Sequence, residues 1–192
     1  MARTRAVLVV ATVLLLGAIG IVWWQIRAGI SARDEPTVIE TVLARMMRSM
    51  AVPADAKNIK NPLEPSDEVL VSARAHWADH CASCHGNDGR GQTDMGRGLY
   101  PKAPDMTRDE TQSLSDGELA YIIHNGVRLT GMPAWGEPGT APGDADWELV
   151  HFIRHLPQIT PEELERMEAM NPISLRIASR IPAHLLSAWR RP

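Results

Sequence analysis

Cysteine is almost absent from this chain: Cys81 and Cys84 are the only two in 192 residues. Two thiols cannot build the disulfide framework of a small secreted scaffold, and they make half of a four-cysteine zinc site. Absent too are a glycine-rich loop to cradle phosphate, a flavin fingerprint, and any Ser, His and Asp set suited to hydrolysis. No stretch alternates apolar and polar residues in the manner of a half-buried strand, so no sheet is expected. Charge balances to a net of −3, and with 44% apolar and 22% charged residues the composition is neither that of a disordered chain nor that of a nucleic-acid binder. These exclusions leave a helical chain with room for one modest domain and its appendages.

One long apolar run is present. After Arg3 and Arg5, residues 6–24 read AVLVVATVLLLGAIGIVWW, nineteen residues without a charge. At 1.5 Å per residue such a helix matches the roughly 30 Å hydrocarbon core of a bilayer. A cleaved signal has an apolar core of about 7 to 15 residues and a small-x-small cleavage site. Here the run is longer, Trp23 and Trp24 suit the headgroup belt, and Gly29-Ile30-Ser31 is a poor cleavage site. Residues 1–30 are therefore expected to be an uncleaved, single-pass anchor in the cytoplasmic membrane. Arg3 and Arg5 favour the inside, which places the rest of the chain on the periplasmic or exported side.

Residues 31–65 divide into two parts. Val38, Ile39, Val42, Leu43, Met46, Met47 and Met50 recur at three- and four-residue spacing, which predicts an amphipathic helix whose apolar face packs on the next domain. Residues 51–65, AVPADAKNIKNPLEP, carry three prolines and little periodicity, and read as a linker.

From Ser66 the helical signals return. Ser66 is an N-cap followed by Asp67 and Glu68, and Val69, Leu70, Ala73 and Trp77 share one face of a helix that runs up to Cys81. Ser115 and Glu118 form a capping box for a second helix that ends at Asn125-Gly126. A third, over about residues 144–156, holds Trp147, Val150, Ile153 and Leu156 in register and stops at Pro157. Three short helices make a thin core, and the loop of residues 86–114 is longer than a compact domain leaves bare, so it is expected to wrap something that is not protein.

The cysteines say what that is. Cys81-Ala82-Ser83-Cys84-His85 has the Cys-x-x-Cys-His spacing of covalent haem attachment: two thiols on one helical turn add across the porphyrin vinyl groups, and the adjacent histidine faces the iron. A dithiol redox motif would need a preceding strand and a parallel sheet.

With these residues in view, residues 66–157 resemble the small class I cytochromes c, and most of all the single-haem, membrane-anchored domains that serve bacteria as electron carriers or oxidase-associated subunits. The resemblance is carried by CASCHG with Asp88-Gly89-Arg90-Gly91, by residues 100–106 (YPKAPDM), by residues 114–119 (LSDGEL), and by Asn125-Gly126 leading to Thr130-Gly131-Met132-Pro133-Ala134-Trp135. It implies an all-α fold wrapped around one haem c joined to Cys81 and Cys84, with His85 and Met132 as axial ligands. Met106 and His124 are the competing second ligands, His124 being read otherwise as a solvated partner of its helix dipole. His76, His80, His151, His155 and His184 read as surface residues.

The family also orients its ligating histidine through a proline carbonyl, here Pro104 or Pro101. Arg90, Arg97, Lys102, Arg128 and the Trp135 indole are candidates to hold the haem propionates. A His/Met iron with no open position cycles between two oxidation states, so the expected function is electron transfer, not catalysis, with redox proteins or respiratory-complex subunits as partners and no nucleic acid. A displaceable sixth ligand would instead make a haem-based sensor. Residues 158–192 read as a helical extension: a capped helix from Thr160 to about Met170, then a basic segment with Ile173, Ile177, Ile181 and Leu185 spaced by four.

Overall fold

The computed structural model describes residues 2–29 and 31–172, and every regular element among them is helical. The chain divides into two compact units, Met1–Asp34 and Glu35–Pro192. The first is built on α1 (Ala2–Ala28), of which Arg3–Arg27 is one helix long and apolar enough to cross a membrane, with a mean hydropathy of 2.7. Arg27 lies 5.0 Å from the centre of the Trp23 ring, a cation–π contact at the end of that helix.

The second unit opens with α2 (Val38–Ala51), set by a capping box in which the Glu40 carboxylate accepts from the Thr37 N–H at 2.7 Å and the Thr37 hydroxyl accepts from Glu40 N–H. A single turn, α3 (Ala54–Lys57), follows. Then α4 (Asp67–His76), capped by Ser66, continues through one π turn (Trp77–Cys81) into α5 (Ala82–His85). Two short helices, α6 (Asp94–Gly98) and α7 (Asp109–Gln112), lie in the long loop. The remaining elements are α8 (Asp116–Asn125), α9 (Asp144–His155) and α10 (Pro161–Met170).

The core forms where α4, α8 and α9 cross. Ala73, Trp77, Leu119, Ala120, Ile123, Val150, Phe152, Ile153 and Leu156 interlock there, and Met167 of α10 joins them. The small residues Ala73, Ala78 and Ala120, all at zero exposure, let the helix axes approach closely. An ion-pair network fastens α10: Arg74 of α4 donates to Glu163 at 2.5 Å, and His155 Nε2 lies 3.0 Å from the same carboxylate.

Two expectations about residues 31–65 meet a different arrangement. The apolar face of α2 does not pack on the domain, and no residue of α2 is buried. The supposed linker, for its part, is not loose. Val52 is buried, the Ala56 carbonyl sits where a Cβ on Gly117 would be, Asn61 donates to the Trp147 carbonyl at 2.9 Å, and His151 Nε2 meets the Leu63 carbonyl at 2.8 Å. Prolines interrupted the periodicity there without removing the partners. The helix expected from Thr160 is α10, whereas the apolar pattern from Ile173 to Leu185 lies outside the described residues.

Candidate haem-binding site

The CASCH turn is ordered by its backbone, which leaves its side chains free for chemistry. A helix ends with carbonyls that have no internal partner. Here the Thr93 hydroxyl lies 2.8 Å from Ser83 O and 3.0 Å from Cys84 O, Gly91 N–H donates to His85 O at 2.7 Å, and the Trp77 indole N–H donates to Gly86 O at 2.9 Å. Gly86, at φ 74°, supplies the left-handed turn that ends α5. The π turn just before the motif widens the helix by one residue, a distortion that recurs at functional sites.

The motif forms one wall of a narrow apolar cleft lined by Trp77, Cys81, His85, Met106, Ile123, Met132, Trp135, Leu149 and Ile153. His85 is 7% exposed, and its Nδ1 is buried with no hydrogen-bond partner. Burial holds its pKa down to about 4, so the imidazole is neutral at neutral pH and keeps the lone pair a metal needs. Both cysteines are free thiols. Burial, helped by the neighbouring Cys84, pushes the Cys81 thiol up to about 12, the opposite of the low-pKa thiolate that dithiol exchange requires.

The opposite wall is a loop clamped to the C-terminal end of α8. Val127 N–H donates to Met132 O at 3.1 Å, Met132 N–H to the Thr130 hydroxyl at 3.1 Å, Trp135 N–H to Ile123 O at 3.3 Å, and Gly136 N–H to His124 O at 2.9 Å. Gly126, at φ 66°, has the Ala134 N and Pro133 C atoms 2.6 Å from where a Cβ would stand, so the loop crosses directly over it. His124 is the second clamp. It is buried, its Nδ1 is 2.9 Å from Asp146 Oδ2 and its Nε2 is 3.2 Å from the Thr140 hydroxyl, while Asp146 also accepts the Gly143 N–H at 3.0 Å. It is a core residue bridging α8, the Met132 loop and α9, not a solvated dipole partner.

Of the residues expected at the site, the structure brings Cys81, His85, Met132 and Trp135 to one cleft, with Cys84 on the same turn as His85. Met106 lines it too, from the side of the motif, its N–H donating to Gly89 O at 2.8 Å. Trp135 also meets His80, ring centres 5.5 Å apart. The other candidates stand apart from the cleft. Pro104 is exposed, and its carbonyl does not receive His85 Nδ1. Arg90 faces Asp88 at 3.8 Å, Arg97 pairs with Asp94 at 2.7 Å, Lys102 pairs with Glu35 at 3.4 Å, and Arg128 is exposed. Sequence reasoning missed the Trp77 indole bond and the His124–Asp146 pair, since each joins residues whose encounter only the fold creates; a buried tryptophan just before the motif was the one available signal.

The helices and the cleft are those expected of a class I c-type cytochrome domain, a kind of domain that carries haem c covalently. Residues 69–153 match the family described as cytochrome c oxidase, cbb3-type, subunit III. A curated relative, the cbb3-type cytochrome c oxidase subunit FixPc of Rhizobium leguminosarum bv. viciae, is 35% identical over 94 residues, covering 48% of this chain and 30% of that protein. The chain thus spans less than a third of that relative's length. The residues present fit the group: two free thiols three apart, a neutral buried imidazole with an unmet nitrogen, thioethers, and apolar walls.

Proposed function

We propose that this protein is a membrane-tethered electron carrier, or an electron-transferring subunit of a respiratory complex, working on the exported face of the cytoplasmic membrane. The observation that carries the reading is the convergence of Cys81, His85 and Met132 on one apolar cleft from two segments of the domain, the motif and the loop after α8. In this reading Cys81 and Cys84 would hold one haem by thioether bonds, and His85 and Met132 would ligate its iron. The group supplies a one-electron couple; the chain holds it rigid, keeps water off it, and favours the reduced form through a thioether ligand.

Met132 is preferred to Met106 because Met106 is fixed to the loop that follows the motif, on the His85 side, whereas Met132 comes from the clamped loop facing it. Trp135 borders the cleft with an indole N–H suited to a propionate. The FixPc relative, named as a subunit of a cbb3-type oxidase, supports a partner of the oxidase type. Optical spectra of the purified protein, oxidised and reduced, test this directly. A weak far-red ferric band from sulfur ligation, with no response of the reduced form to carbon monoxide, is the expected result. Ready carbon monoxide binding without that band would replace the carrier with a haem sensor.

A further inference from the structure

The second unit wears one helix inside out. Polar contacts, not the apolar face, tie α2 to its neighbours: Arg45 pairs with Glu110 at 3.6 Å, Lys57 of α3 donates to the Ser49 carbonyl at 2.5 Å, and the Glu40 carboxylate is held low by hydrogen bonds from Thr37 at the helix's own cap and from Tyr100. Thr41 and Arg48 are its half-covered residues. On the other face Val38, Ile39, Val42, Leu43, Met46, Met47 and Met50 stand between 51% and 80% exposed. Seven large apolar side chains in one stripe exceed what a water-facing helix leaves bare.

Two features say what covers them. At 3.6 residues per turn, these positions sweep about half the circumference of the helix, wider than the narrow seam of helix-on-helix docking and suited to a flat apolar medium. The chain also keeps α2 close to such a medium. Residues 29–37, nine residues, separate it from α1 and reach at most about 30 Å when stretched.

We propose that α2 is an in-plane membrane helix whose apolar half rests at the boundary of headgroups and acyl chains, in the membrane crossed by α1. The domain sits on its aqueous side. The inference rests on the reading of α1 as an anchor. It replaces a domain joined by a loose linker with one held at a set height above the membrane.

Site-directed spin labelling of the full holoprotein in vesicles of phosphatidylcholine and phosphatidylglycerol tests it. Single nitroxides go on Leu43→Cys and Met46→Cys, on Val71→Cys, an exposed position of α4, and on Val13→Cys within α1. Each variant must keep the parent's haem spectrum. Labels at 43 and 46 should lose collisions with a water-soluble nickel chelate and gain collisions with oxygen, as at 13 and opposite to 71. If they behave like 71, or are shielded from both reagents as under protein (the segment after Pro172, a second copy or a partner), the proposal falls while the anchor stands. If 13 itself reports water, the anchor reading fails and the proposal with it.

Discussion

His85 illustrates how little of a titratable side chain's behaviour belongs to the residue alone. An ordinary histidine titrates near neutrality, but burial brings this one down to about 4, and its neutral ring faces Met132 across an apolar cleft. If Met132 closes the iron, Met132→Ala opens it: the reduced protein should bind carbon monoxide, and the potential should fall as the thioether is lost. Met106→Ala, the internal control, should leave the far-red ferric band in place. His124 acts at one remove, as a positioning residue. His124→Ala strips Asp146 and Thr140 of a buried partner and should cost about 1–3 kcal/mol of stability. It should also lower the denaturant concentration at which the far-red band disappears, below that at which helicity is lost, a separation that a purely global effect would not produce.

At the scale of elements, α10 is held by a buried carboxylate. Burial alone would raise the pKa of Glu163, but hydrogen bonds from His155 and the Thr160 N–H, with the charges of His155 and Arg74, outweigh it and hold the group below its ordinary 4.5. A depressed carboxylate stabilises the fold fully above its unfolded value, and that contribution is lost as pH falls through the lower folded value. Acid unfolding should therefore steepen below about pH 4.5. Glu163→Gln leaves Arg74 buried with its charge unmatched and should cost about 3–5 kcal/mol at pH 7, with a much smaller difference from the parent near pH 3. Thermal denaturation of both proteins across that range checks the sign as well as the size.

For the whole molecule the governing quantity is charge distribution. Residues 66–157 carry seven Lys and Arg against fourteen Asp and Glu, a net of −7, although the full chain is only −3. Electron transfer to a basic redox protein should slow by about tenfold as salt rises from a few millimolar to physiological strength, and transfer to an acidic one should quicken, because steering fades once the Debye length drops to about 8 Å. Stopped-flow rates against ionic strength would show a flat response if the acidic surface serves solubility alone.

Much of this was legible in the chain because it is local. The CASCH spacing, the caps Ser66, Ser115 and Thr160, the stops at Gly126 and Pro157, and the apolar run of α1 each depend on residues within one or two turns of one another, where backbone geometry decides the outcome. What required the tertiary structure spans longer separations. His124 meets Asp146 across 22 residues, His151 meets Leu63 across 88, and Arg74 meets Glu163 across 89. Periodicity identified α2 as amphipathic but assigned its apolar face to the domain. A period records that a helix has two faces, while which of them meets protein depends on the partners the fold brings to it, here Glu110 and Tyr100 on the polar side. The sequence by itself determined the attachment motif, the helices that carry it and the segment able to cross a membrane; the tertiary structure alone decided which side chains share the cleft, which histidine is buried as a clamp, and which face of α2 is left to the surroundings.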